Sequence, residues 1–150
     1  MANNYTLFSV SLGQLTDAER EWLRAEYAKT HDDVIIDPNS AYGEEIDNPD
    51  YDQEAGTFDM ELNPDEVIIY SEECGNGDAA ADLIQAWLKK FHPKKWLVLE
   101  IVNSCSRARP GEFGGAVCLV TAKKQRWMNT GTWADQQAKR LKLNRKQRVF

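Results

Sequence analysis

The chain has 150 residues, 42% of them apolar and 10% aromatic, and a net charge of −6; that balance fits one domain with one core and excludes a wholly disordered polymer. The longest apolar run, WLVLEIV, is too short to span a bilayer, and the N-terminus has no basic stretch ahead of its apolar residues, so neither a membrane span nor a secretory leader is expected. The three cysteines, Cys74, Cys105 and Cys118, show no C-x-x-C spacing, which favours reduced thiols in a cytoplasmic protein over a disulfide framework or a zinc site.

NYTLFSVSL, with β-branched and aromatic residues in partial alternation, reads as a first strand. LTDAEREWLRAEYAKT follows as a helix, with Thr16 and Glu19 at capping-box spacing. Leu15, Ala18, Trp22 and Ala25 form one apolar stripe on it, and Leu23 and Tyr27 project from another side. DVIIDP reads as a short strand ended by Pro38, and residues 39–57 as a long acidic loop. TFDMEL alternates apolar and acidic residues, as a half-buried strand with outward carboxylates would, and DEVIIYSEE is a further strand beyond the turn signal NPD.

The spacing of Ala80, Leu83, Ile84, Trp87, Leu88 and Phe91 predicts a helix with one broad apolar face in NGDAAADLIQAWLKKFHP. Asn76 or Asp78 caps its start, Lys89 and Lys90 complement its dipole, and Pro93 stops it. KWLVLEIVNS is apolar on both alternating sets, as in a central strand covered on two sides, or on one side plus a partner. The connection NSCSRARPGEFGG leads to a strand in GAVCLVTA, GTWADQQAKRLKL reads as a last helix with Thr132 and Asp135 at capping-box spacing, and NRKQRVF as a frayed tail. The expected fold is α+β: an antiparallel or mixed sheet with about three helices in the order β-α-β-β-α-β-β-α. It is read as one domain over residues 1–138, followed by a basic tail over residues 139–150.

Charge is segregated along this order. Residues 30–88 hold seventeen Asp or Glu and no Lys or Arg, whereas residues 89–150 hold fifteen bases and three acids. Such a chain either pairs its poles within the fold or presents them to partners. Ten of the carboxylates lie within residues 43–66. Fully extended, that segment would space its charges roughly 8 Å apart, against about 3.4 Å of axis per phosphate in one DNA strand, so it must fold before its density resembles nucleic acid.

Few residues suggest chemistry. Asp50, Asp52, Glu54 and Glu61 stand at positions 1, 3, 5 and 12 of an EF-hand-like loop, but the required glycine is displaced by one, at Gly56, so no metal site is assigned. Arg107 and Arg109, beside glycines, are candidate anion-binding residues, and the same residue types suit a plain connection between strands. There is no phosphate-cradling G-x-x-x-x-G-K-[ST]. His92 suits a helix-end cap, a Cys105–His92 pairing stays open, and no catalytic residue or cofactor is assigned. Lys139 to Arg148 carries six basic side chains and no acid, which suits a phosphate backbone or a solvated helix face.

The segment EECGNGDAAADLIQAWLKKFHPKKWLVLEIVNSCSRARPGEFGGAVCLVTAKKQRWMNT resembles an uncharacterised small bacterial domain met on plasmids and phages. That domain has an acidic turn before a helix, then a tryptophan-led strand, then a SRPRPGEFGGGAVFVTA-like hairpin. The resemblance covers about residues 70–130, and Ala108 and Ala116 depart from the pattern. It implies a mobile-element setting and an anti-defence role, with no activity and no target attached. Together these readings favour a non-enzymatic acidic protein that occupies the basic, nucleic-acid-binding groove of a protein partner. Glu44, Glu45, Asp47, Asp50, Asp52 and Glu54 would supply the charge, and Trp22 or Tyr27 the apolar anchor. Two other readings remain: a nucleic-acid-binding accessory protein using the tail, and a small enzyme using the Arg107–Gly115 loop.

Overall fold

Strand and helix follow the hydrophobic period along the chain. The computed structural model describes residues 3–51 and 58–149. Its strands are β1 (Asn4–Gly13), β2 (Val34–Ile36), β3 (Glu45–Asp47), β4 (Asp59–Leu62), β5 (Val67–Ser71), β6 (Trp96–Cys105), β7 (Gly114–Thr121) and β8 (Gln125–Asn129). Its helices are α1 (Asp17–His31), α2 (Gly77–Phe91) and α3 (Thr130–Arg140), and a 3₁₀ turn spans Arg145–Gln147. Six strands form one sheet in the order β4-β5-β1-β6-β7-β8, and β2 and β3 form a separate ribbon. All the strand pairs run antiparallel, and the fold is α+β as expected.

The period-two alternation of these strands gives the sheet two different faces. Phe8, Leu12, Val67, Ile69, Leu99, Ile101, Cys118 and Val120 point to one face and join the buried core. α2 supplies Ala80, Ala81, Ile84, Trp87 and Leu88 to that core, and α1 supplies Leu23. α2 is capped by Asn76, whose side chain accepts from the Ala79 N–H at 3.0 Å. Its start lies so close to the sheet that a Cβ at Gly75 would meet the Phe8 ring and fall 2.5 Å from Ser71 Cβ. Only a glycine fits there.

Four local expectations are corrected. On the α1 segment Leu15 and Trp22 pack against the core as expected, but Ala18 and Ala25 are exposed, and Glu19, Leu23 and Tyr27 also face inward. Glu19 is buried because four groups satisfy its carboxylate. Thr16 donates from its backbone at 2.9 Å and its hydroxyl at 3.0 Å, Trp87 Nε1 donates at 3.2 Å, and His92 Nε2 closes the cluster. β8 had no counterpart in the sequence reading, and it extends the sheet beyond β7. α3 is capped by Asn129 rather than Thr132. The tail beyond α3 is not frayed throughout: Asn144 caps its 3₁₀ turn, and Arg148 pairs with Asp135 at 3.1 Å.

Candidate protein-partner interface on the acidic side

The acidic loop read over residues 39–57 is partly a strand, because β3 pairs with β2 to make a short two-stranded arm. In this register Val34 faces Asp47, Ile35 faces Ile46, and Ile36 faces Glu45. Alternation puts Val34, Ile36, Glu45 and Asp47 on one side of the ribbon, and all four are exposed. The turn between the strands is ordered by short polar side chains. The Asn39 N–H donates to Asp37 Oδ1 at 2.9 Å, and the Tyr42 and Glu44 N–H groups both donate to Ser40 Oγ at 3.2 Å. Gly43, at φ +70°, makes the reversal that an L side chain would resist.

Asn48 fixes this arm to the body. Its side chain is buried at the C-terminal end of α1, where the last carbonyls of a helix lack intrahelical partners. The Asn48 amide donates to the Lys29 carbonyl at 2.8 Å and the Asp32 carbonyl at 2.7 Å. Its backbone N–H donates to the Asp33 carbonyl at 2.8 Å, and its Oδ1 accepts from the Asp50 N–H at 3.0 Å. One asparagine thus terminates the helix, closes the arm and starts the next turn.

The structure places Glu44, Glu45, Asp47 and Asp50 together on the arm, all exposed. Asp52 and Glu54 lie outside the described residues. Trp22 and Tyr27 lie on α1 and are already partnered. Trp22 meets Phe91 edge to face at 5.7 Å. Tyr27 stacks on His31 at 3.5 Å and donates its hydroxyl to the Phe58 carbonyl at 3.1 Å. The exposed apolar groups beside the acids are instead Tyr42, 92% exposed, and Ile36, 65% exposed, with Val34 and Ile46 less so. The sequence signal for Ile36 was an apolar strand, VII, set directly among acids.

The arm's charges are not answered by the chain's own cations. Among the described residues the ion pairs are Lys29–Glu26 at 2.6 Å, His92–Glu19, and Arg148–Asp135 at 3.1 Å, none with a carboxylate between residues 30 and 88. Arg20 spends its guanidinium on the Asn63 and Leu62 carbonyls, at 2.6 and 2.7 Å. Burial, then the charge of Asp59, then Tyr70 and Asp32, push the Tyr27 phenol pKa up to about 12. Tyr70 is pushed up as well, by desolvation first and then by Asp59, Glu61 and Glu72. Asp32 at the C-terminal end of α1 and Asp59 on β4 both act on Tyr27.

The remaining candidates are dispersed. Arg107 and Arg109 are exposed in the connection over residues 106–113, where Gly111 adopts φ +80° and the Arg109 N–H donates to the Arg107 carbonyl at 2.9 Å. His92 is the C-cap residue of α2, and its ring is held by Glu19. Cys105 ends β6 beside Asn4, so most of a ten-residue strand, roughly 30 Å, lies between it and His92. That distance removes the Cys105–His92 pairing.

No family model matches the chain, and neither a curated protein nor a solved structure matches it. Among the described residues no helix is long and apolar enough to cross a membrane.

Proposed function

We propose that the chain is a non-enzymatic acidic binding protein, an inhibitor of phage or plasmid type that occupies the basic, nucleic-acid-binding groove of a protein partner. The observation that supports this reading is the set of arm carboxylates, none of which enters an ion pair among the described residues. Gathering like charges on an ordered ribbon costs stability in the free protein, and a cationic groove would relieve that cost. Tyr42 and Ile36, at the edge of the acids, are the apolar groups such a groove would cover. The mobile-element resemblance of residues 70–130 is in keeping with an anti-defence role.

The test is capture from host lysate, treated with nuclease and washed in steps of salt. The bait is either the native chain or one carrying Glu44→Gln, Glu45→Gln, Asp47→Asn, Asp50→Asn, Asp52→Asn and Glu54→Gln. The native chain should retain a basic protein that the variant loses, chiefly through a slower on-rate. The two should converge near 1 M salt, where the screening length falls to about 3 Å. Equal retention by the variant removes the reading.

A second reading rests on the tail. α3 and the chain beyond it enclose a cavity of about 350 Å³ whose wall includes Lys139, Arg145 and Arg148. Nucleic-acid binding there would fall steeply with salt and vanish on deletion of residues 139–150.

A further inference from the structure

The second face of the six-stranded sheet carries apolar side chains that α1 and α2 do not reach. Strand register places Leu7, Val98, Val102, Val117, Leu119 and Met128 on it. Val98 is 38% exposed, Val102 54% and Met128 41%. Trp96, 64% exposed, continues this row at the start of β6. The charges on the face are graded. Asp59 and Glu61 belong to it on β4, beside Tyr70 and Ile68, and Arg126 belongs to it on β8 at the opposite edge.

We propose that this face binds a second copy of the chain. The two sheets would stack about a twofold axis parallel to the strands. The strand order decides which axis is meant. A twofold along the strands exchanges the two edges, so β4 of one copy lies over β8 of the other, β5 over β7, and β1 over β6. Asp59 and Glu61 then meet Arg126 on both sides of the axis. A twofold across the strands would instead set β4 on β4, acid against acid. In the same arrangement Ile68 and Tyr70 cover Val117 and Leu119 on either side of the axis, while Ser9 and Ser11 of β1 lie over Glu100 and Val98 of β6 at its centre.

The available area sets the strength. Six strands about 4.8 Å apart, over roughly five residues of length, offer a projected area of roughly 400 Å² per copy. Roughly 800–1,000 Å² buried in the pair is at the low end for a specific interface, so the dimer should be weak and concentration-dependent. Glu100 lies within this face between Val98 and Val102, and an unpaired carboxylate there opposes association. The surface is separate from the arm, so the six-acid variant should dimerise as the native chain does.

Sedimentation velocity of the purified chain from about 10 µM to about 1 mM, at low salt, should show monomer passing into dimer. Val98→Asp should raise Kd at least ~30-fold, and Glu100→Gln should lower it, with the circular-dichroism melt confirming that each variant is folded. Glu61→Lys and Arg126→Glu should each weaken the dimer ~5-fold or more, and combining them should restore it to within ~3-fold of the native chain. Monomer throughout the range overturns the proposal, as does indifference to Val98→Asp. A charge-swapped double variant no better than its worse parent overturns the assigned axis, and with it the pairing of β4 with β8.

Discussion

Replacing Asn48 by alanine tests whether the acidic arm owes its order to one side chain. The substitution removes the two short amide bonds to the Lys29 and Asp32 carbonyls and the acceptor for the Asp50 N–H. A neutral intramolecular hydrogen bond contributes about 1 kcal/mol net, and a buried acceptor left without a partner costs more than that. Water reaches the exposed helix end once the arm lifts, so the lower figure applies, and three bonds give a local loss of about 2–3 kcal/mol. At 1.4 kcal/mol per tenfold, protection of arm amides from hydrogen exchange should fall ~30- to ~150-fold. The amides to follow are those at positions 37 and 48, which donate to Glu44 O and Asp33 O. Amides of β6, whose ladder does not involve the arm, serve as the internal reference. Unchanged protection in the arm would refute the assignment of Asn48 as its anchor, and equal loss in β6 would mean the arm does not open as a separate unit.

Other expectations follow from the same contacts. The Glu19 carboxyl is driven upward by burial, but hydrogen bonds from the Thr16 backbone, His92 and the Thr16 hydroxyl, with the charge of His92, more than offset this and leave it below its usual value. Its contribution is therefore complete above the unfolded carboxyl pKa and lost as pH falls through the lowered folded value. Glu19→Gln should cost about 1–3 kcal/mol at pH 7 in urea unfolding and flatten the acid limb, and a native-like acid limb would contradict this. Burial pushes the Cys118 thiol up to about 11, whereas Cys74 is exposed. A thiol reagent at neutral pH should modify Cys74 within the folded chain and reach Cys118 only on unfolding; rapid native-state labelling of Cys118 would place it wrongly.

The elements legible in the sequence are those whose burial is regular. α2 was readable because its apolar positions repeat at helical spacing and its caps are standard side chains, Asn76 before it and His92 before a proline after it. β4 was readable from the alternation of Met60 and Leu62 with Asp59 and Glu61. What escaped depends on partners distant in sequence. Glu19 looks like a solvent residue until Trp87 and His92 are brought to it, and its burial widens the inward side of α1 beyond Leu15 and Trp22. β3 is three residues with two acids, and only its pairing with β2 makes it a strand. QRWMN in β8 is flanked by lysines and polar residues, and it takes its conformation from β7. The acidic site was legible as charge and not as shape: its carboxylates could be counted, but Asn48, Ile36 and Tyr42 acquire a role only once the ribbon is folded.

The separation of charge would be harder to explain if it followed from the fold alone. Two cations in the last turn of α3 and four beyond it follow the helix's one acid, Asp135, and Arg148 takes that acid, although far more carboxylates lie earlier in the chain. Likewise Arg20, which projects from α1 toward the turn after β4, binds two carbonyls and no neighbouring acid. Each cation near enough to be placed by the described contacts thus has a local structural task, and the arm is left with its charge. An exposed ion pair contributes little to folding, so stability alone exerts only weak pressure to bring the poles together. The same reasoning limits the cost of keeping them apart on an exposed ribbon. What stability does not demand, it also does not explain: apolar side chains, Ile36 and Tyr42 foremost, stand exposed on that ribbon where a polar residue would serve folding equally well. Charge alone would keep the chain soluble, whereas charge joined to exposed apolar groups on an anchored arm is the combination a binding surface requires.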